Sequence, residues 1–377
     1  VAGDQAGGLR PRVGARCAAH VRYRTRVLDL HADLADLAAA IIDIPSVSGE
    51  EALLADALEE ALRDQAPHLT ITRDGNSIIA RTELGRPSRV ILAGHIDTVP
   101  IADNLPSSVE GERLYGCGST DMKSGVAIQL HLAVTLTDPR ADLTFCFYEC
   151  EEVEAARNGL ARIAKHSPDL LKGDFAILLE PTNGIVEGGC QGTMRAEVTV
   201  RGVRAHSARA WLGENAIHEA HEILTSLAEY EAERVMVDGL EYREGLQAVA
   251  IKGGVAGNVI PDELILTVNY RFAPSKSEAD AERFLRHFFD GYALTIVDRA
   301  PGALPGLNVP IAQDFIAAVG EPPLPKFGWT DVARFSALGI PAVNFGPGNP
   351  ALAHTEDENV EIALIYEGAS ILLKWLS

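Results

Sequence analysis

The chain has 377 residues, 47% of them hydrophobic and 23% charged, with a formal net charge of −20. That composition is globular and long enough for two domains, and its acidity argues against nucleic acid or an anionic membrane as a partner. No apolar run approaches the roughly 18–20 residues that span a bilayer, so a cytoplasmic protein is expected.

The first 26 residues hold six arginines and one aspartate and are rich in glycine. They lack the apolar stretch of a secretory signal. A disordered extension or an over-extended gene start is expected there, with the working chain starting near Val27. The five cysteines include no C-x-x-C pair, so neither a disulfide framework nor a zinc finger is expected.

Helical spacing of apolar residues runs from Leu30 to Ile42, and Pro45 stops it. Ser48 with Glu51 three residues later reads as a capping box opening a helix through about Arg63. Short strands are expected at 69–73 and 77–82. Strongly apolar runs follow at 89–94, 143–148, 175–179 and 341–346, with helices near 123–137, 156–166, 331–338 and 359–376. Near-continuous apolar strands alternating with helices predict a sheet covered on both faces. The texture changes between 193 and 299. Strands at 193–201, 246–253, 263–272 and 293–298 alternate with helices at 214–229 and 277–289, which predicts a small α+β unit inserted into the larger α/β one.

The apolar run 89–94 drives into His95 and, two residues on, Asp97. In an extended strand these would face one spot, which suits a metal ligand with its orienting partner as well as it suits a polar strand end. The run at 143–148 ends in Glu149-Cys150-Glu151-Glu152, that at 175–179 in Glu180, and that at 341–346 leads on to His354. Asp121 follows a Gly-rich stretch and opens a helix. That stretch lacks the order of a phosphate loop. Individually, Glu151-Glu152 also reads as a solvated turn and His354 as a surface histidine. Their coincidence at the carboxyl edge of one sheet, where ligands gather in open α/β folds, argues for a divalent metal. Imidazole and carboxylate without thiolate favour zinc, manganese or cobalt.

These positions lie in the motifs G-H-I-D-T-V-P, Y-G-C-G-S-T-D-M-K-S-G, E-C-E-E, L-E-P-T, G-V-R-A-H-S-A, N-V-I-P-D and A-H-T. In this order they resemble the dinuclear-zinc M20 family of peptidases and deacylases, from about residue 30 to the C-terminus. The resemblance implies a mixed-sheet zinc-peptidase-like catalytic domain, residues 27–192 and 300–377, with an inserted α+β dimerisation or lid domain, residues 193–299. It implies two Zn2+ per subunit, for which Co2+ substitutes. His95, Asp121 and Glu180 would hold one, and Asp121, Glu152 and His354 the other. Glu151 would be the general base, and Asp97 would orient His95. A cis peptide would follow Asp121. His206 would act across the interface of a homodimer to stabilise the oxyanion. Asn258, Arg271, Thr330 and Arg334 would contact substrate.

Two segments depart from the commonest family pattern. Cys190-Gln191-Gly192-Thr193 stands where many desuccinylases have Arg-Arg-Gly-Ser, and Trp329-Thr330-Asp331-Val332 where they have Gly-Thr-Ser-Asp. One desuccinylase branch resembles this chain in both, which puts hydrolysis of N-succinyl-LL-2,6-diaminopimelate foremost. Deacetylation of acetylornithine, aminoacylase or exopeptidase action, and a non-catalytic binding role are the alternatives.

Overall fold

The computed structural model describes residues 27–377; the N-terminal segment and Cys17 lie outside the described residues. The large unit is built on an eight-stranded mixed sheet. Its first strands are β1 (Thr70–Asp74), β2 (Ser77–Arg81), β3 (Arg89–His95), β4 (Asp142–Tyr148) and β5 (Phe175–Leu178). A short β6 (Glu187–Gly188) precedes the second sheet, which contains β7 (Gly192–Arg201), β8 (Gly245–Gly253), β9 (Glu263–Phe272) and β10 (Ala293–Ala300). The chain then returns to the first sheet with β11 (Leu324–Pro325) and β12 (Ala342–Asn344). The large sheet has the order β1-β2-β4-β3-β5-β12-β6-β11, and the second β8-β9-β7-β10.

At the centre of the large sheet, β4, β3, β5 and β12 are mutually parallel. Alternate residues of β3 point into two apolar clusters: Val90 and Leu92 into one, Ile91 and Ala93 into the other. Along β4, Phe145 and Phe147 join the first cluster, and Cys146 and Tyr148 the second. This is why the sequence of these strands is apolar without alternation: both faces are covered. On the first face lie α1 (Leu34–Ile42), α2 (Ala52–Gln65) and α3 (Lys123–Thr135). On the second, α4 (Gly159–His166) packs its Leu160 and Ile163.

The second sheet alternates buried and less buried residues along β7 and β9, as a sheet covered on one face must. Two short helices, α5 (Ala216–Glu219) and α6 (His221–Ala228), and α7 (Glu278–Phe288) supply that cover. The edge strand β8 is exposed over most of its length, including Val249 and Ile251. The hairpin of strands Arg234–Val237 and Leu240–Arg243 joins the apolar cluster of the large unit, and Tyr242 donates its hydroxyl proton to the Gly188 carbonyl at 2.7 Å. The remaining helices, α8 (Pro310–Val319), α9 (Val332–Ala337) and α10 (Ile362–Leu376), return to the large unit. No helix among the described residues is long and apolar enough to cross a membrane.

Three local expectations change. The first helix starts at Leu34 rather than Leu30, because the Asp33 carboxylate accepts from Ala35 N and sets the start there. The helix expected over 214–229 is broken near Ala220 into α5 and α6. Ser48 and Glu51 form no capping box: α2 starts without a side-chain cap, and both side chains turn to other partners.

Helix α3 carries the segment after Asp121 close beneath the sheet. A Cβ on Gly125 would overlap the main-chain oxygen of Leu179, immediately before Glu180. Glycine is needed there for close approach rather than for backbone freedom. Gly125→Ala is expected to lower the urea midpoint by an amount worth about 1–3 kcal/mol, the usual cost of overpacking; a midpoint equal to wild type would show that the contact is slack.

Candidate metal centre

The parallel register decides which side chains meet. His95 pairs with Tyr148, Ala93 with Leu178, and Leu178 with Asn344. The residues just beyond these pairs, 149–152, Glu180 and the loop carrying His354, therefore emerge at one edge. Asp121 arrives at the same edge just ahead of α3, and its peptide bond to Met122 is cis. It follows the Gly116–Thr120 loop, which is held by a residue that sequence reasoning missed. Glu358, buried, accepts from the main-chain N–H groups of Gly118, Thr120 and Asp121 at 2.9, 2.9 and 3.0 Å. No periodicity signals this role, because the partners are more than 200 residues away in sequence.

The result is two groups of three side chains sharing Asp121. Ligand atoms of His95, Asp121 and Glu180 lie within 4.8 Å of one another, as do those of Asp121, Glu152 and His354. One oxygen of Asp121 is 3.0 Å from His95 Nε2, and the other is 3.4 Å from His354 Nε2. His354 Nε2 also lies 2.8 Å from Glu152 Oε1. Glu151 joins His95 and Glu152 in a third such group. His95 is almost fully buried, whereas the His354 side chain is 51% exposed and its residue has a left-handed φ of 63°.

Asp97 is not on the strand. β3 ends at His95, so the period-two argument stops one residue too early. Asp97 approaches His95 with its main-chain oxygen, which accepts from Nδ1 at 3.0 Å, while its carboxylate lies 3.5 Å from that nitrogen. The carboxylate instead accepts from the N–H groups of Glu151 and Glu152 at 2.9 and 3.1 Å and from the Ser48 hydroxyl at 2.7 Å. Asp97 thus links the histidine to the turn that carries two acids.

Five carboxylates (Asp97, Asp121, Glu151, Glu152 and Glu180) and two imidazoles crowd this edge. Burial and the neighbouring Asp121 carboxylate push the Glu180 carboxyl up to about 8. Burial, with Asp331, Glu180 and Glu152 adding to it against the pull of His95, drives Glu151 well above the usual range. Hydrogen bonds to Asp121 and Glu152 push His354 up to about 10. Glu180 Oε1 is buried with no hydrogen-bond partner among the described residues. A buried, unpartnered carboxylate oxygen facing like charges calls for a cation. The donor set fits zinc, manganese or cobalt: the nearby thiols are turned away, Cys117 toward the Val99 carbonyl and Cys150 toward Glu51.

Beside this edge a cavity of about 810 Å3 opens between the turn after β4, the second sheet and α9. Glu151 and Glu152 line one side, Arg195 and Arg271 another, and Trp329 and Arg334 a third. Burial pulls the Arg271 guanidinium below its ordinary range. Arg334 sits 5.3 Å from the Trp329 ring centroid and donates to buried Asp331. Thr330 does not line the cavity; its hydroxyl donates to Asn344 Oδ1 at 2.9 Å. His206 and Asn258 are exposed and lie side by side elsewhere, where Ser207 N donates to the Asn258 carbonyl at 3.0 Å. Within one chain, then, Glu151, Glu152, Arg271 and Arg334 meet around the cavity, while His206, Asn258 and Thr330 do not line it.

Known proteins are similar to this chain in sequence and in fold. A protein of Mycobacterium tuberculosis (strain ATCC 25618 / H37Rv), provisionally named succinyl-diaminopimelate desuccinylase DapE, is 55% identical over 352 residues, which cover 93% of this chain and 99% of that one. The succinyl-diaminopimelate desuccinylase of Corynebacterium glutamicum (strain ATCC 13032) is 49% identical over 363 residues, covering 93% and 98%. Among solved structures, the Bacillus subtilis YXEP protein, described as a dinuclear metal binding peptidase of family M20, superposes with a TM-score of 0.69 at 16% identity, over 92% of this chain and 97% of that one. The family model for peptidase family M20/M25/M40 matches residues 91–377, and with it this chain belongs to that family.

Proposed function

We propose that this chain hydrolyses N-succinyl-LL-2,6-diaminopimelate to succinate and LL-2,6-diaminopimelate, using two divalent ions, zinc foremost, at the edge built around Asp121. The observation that carries the reading is the pair of three-residue groups sharing Asp121 beside an arginine-lined cavity. High identity to desuccinylases across nearly the whole chain supports the substrate.

His95, Asp121 and Glu180 would hold one ion, and Asp121, Glu152 and His354 the other. Such ions, when bound, polarise an amide carbonyl and lower the pKa of water. Glu151, at the cavity wall and beside both groups, takes the proton from the attacking water. It then delivers that proton to the departing amine nitrogen, the two-way transfer expected of a positioned general acid–base carboxylate. Arg271 and Arg334 bind substrate carboxylates; a planar guanidinium recognises carboxylate bidentately.

The oxyanion needs a hydrogen-bond donor, and the His206 of the same chain does not line the cavity. His206 fits this role from a second subunit, so the working unit is a homodimer. Exposed β8 with Val249 and Ile251 supports this, since an open sheet edge with apolar side chains is a ready pairing surface. Residues 193–299 then form the dimerisation unit, carrying Arg271 on β9 and His206 in a separate short strand pair, Ala205–His206 with Val259–Ile260.

Four outcomes are expected. Purified protein loaded with zinc should turn over N-succinyl-diaminopimelate at least about 100-fold faster, in kcat/KM, than acetylornithine, a discrimination of the size that buried polar recognition reaches; the reverse order would refute the substrate. Chelation should abolish turnover and zinc restore it. Glu151→Gln should keep zinc content but lose about 10²–10⁴ in kcat; near-normal turnover would remove it as the base. Glu151→Gln and His206→Ala should each be inactive alone yet regain activity when their subunits are exchanged, because one mixed site is then intact. Failure of mixing to restore turnover would place His206 outside the partner's site.

A further inference from the structure

Glu51 belongs to neither group of candidate ligands, and the cap its sequence position suggests does not form. Its side chain is fully buried. Oε1 accepts from the main-chain N–H of Gly49 at 2.7 Å, from the N–H of Cys150 at 3.2 Å and from the Cys150 thiol at 3.2 Å. Oε2 faces the Asn76 amide nitrogen at 3.5 Å. Cys150 has a φ of 58°, the left-handed region that a residue with a Cβ seldom adopts. The next two N–H groups, those of Glu151 and Glu152, go to the two oxygens of Asp97. Three successive amides of one turn therefore face two buried carboxylates. Both carboxylates are tied to the same short segment, Asp97 through the Ser48 hydroxyl and Glu51 through Gly49 N. The residue before, Glu149, is held by Arg162 and by Asn76 N at 2.6 and 3.0 Å.

Glu51, Glu149 and Cys150 also bring ligand atoms within 4.8 Å of one another. Those atoms are already engaged: Arg162 and Asn76 occupy Glu149, and the thiol donates to Glu51. The cluster is a hydrogen-bonded clamp and not a third metal position.

We propose that Glu51 is a positioning residue: by holding the Cys150 amide it fixes the left-handed turn and so aims Glu151 as proton acceptor and Glu152 as ligand. The inference rests on the roles given to those two residues above. The geometric reason is specific. Removing one acceptor frees the only amide of the three that Asp97 does not hold, at the residue whose backbone most needs support. Glu51 touches none of the candidate ligands and acts through the Cys150 amide; hydrogen-bond partners around a metal site typically change its affinity or activity when removed.

The test compares wild type, Glu51→Ala and Glu51→Gln, the last keeping an acceptor oxygen at the same reach. Hydrogen exchange on metal-free protein should show the amides of residues 150–152 exchanging faster in Glu51→Ala and near wild type in Glu51→Gln. With zinc, Glu51→Ala should lose about 10- to 100-fold in kcat and in zinc affinity, with KM nearly unchanged. Cys150→Gly in the Glu51→Ala background should regain part of that kcat, since glycine adopts positive φ without steric cost. Unchanged exchange and unchanged kcat in Glu51→Ala, or a change in KM alone, overturns the proposal. If Glu51→Ala does not fold, Glu51→Asp withdraws the acceptor while keeping the charge, and wild-type exchange and kcat in that variant overturn it equally. Exchange is read without substrate or metal. Protection that follows Glu51 in a protein inactive on N-succinyl-diaminopimelate would leave the clamp standing and remove only the substrate reading.

Discussion

Everything at the candidate centre depends on the register of four parallel strands. Because His95 stands opposite Tyr148, and Leu178 opposite both Ala93 and Asn344, four chain segments far apart in sequence leave the sheet at nearly the same height. A slip of one residue in any pair would turn a candidate ligand away from the others. The register is strongly specified because both faces of these strands are buried, in two separate apolar clusters. Apolar packing with no chemical role thus sets the geometry of the charged edge.

That edge is a concentrated negative field inside a low-dielectric surround. Crowding carboxylates there works against the fold, as the elevated Glu151 and Glu180 carboxyls show. The structure offsets this with hydrogen bonds from the main chain. Glu358 is met by three amides, Asp97 by two amides and a hydroxyl, and Glu51 by two amides and a thiol. The carboxylates so satisfied shape loops. Glu180, whose Oε1 lacks such a donor, is left facing the centre. Donor supply separates the acids that build the site from those that face into it.

Much of this was legible in the sequence. The apolar runs ending in His95, Glu149–Glu152 and Glu180 marked both the strands and the edge, since a strand buried on both faces has an unmistakable composition. What stayed hidden depends on contacts between distant segments. Glu358 reads as one acid among several in Glu356-Asp357-Glu358, and only the fold shows that it holds the loop before Asp121. Ser48 and Glu51 carry a valid local signal for a helix cap, yet tertiary partners outbid it: Asp97 takes the hydroxyl, and the turn at Cys150 takes the carboxylate. The period-two argument puts Asp97 beside His95 for a reason that fails, because the strand ends first. Thr330 matched a family position by letter, but its hydroxyl is directed into the core toward Asn344.

The two histidines differ in their surroundings, and the difference has a kinetic consequence. His95 is sealed beneath the sheet edge, with Nδ1 held by the Asp97 carbonyl. His354 stands half in solvent on a loop, with a left-handed backbone. An ion among His95, Asp121 and Glu180 would sit between two buried side chains and the partly exposed Asp121, whereas one among Asp121, Glu152 and His354 would have a wet side from the start. The two positions would exchange with bulk metal on separate timescales, and a half-loaded protein would be a long-lived species with its ion on the His95 side.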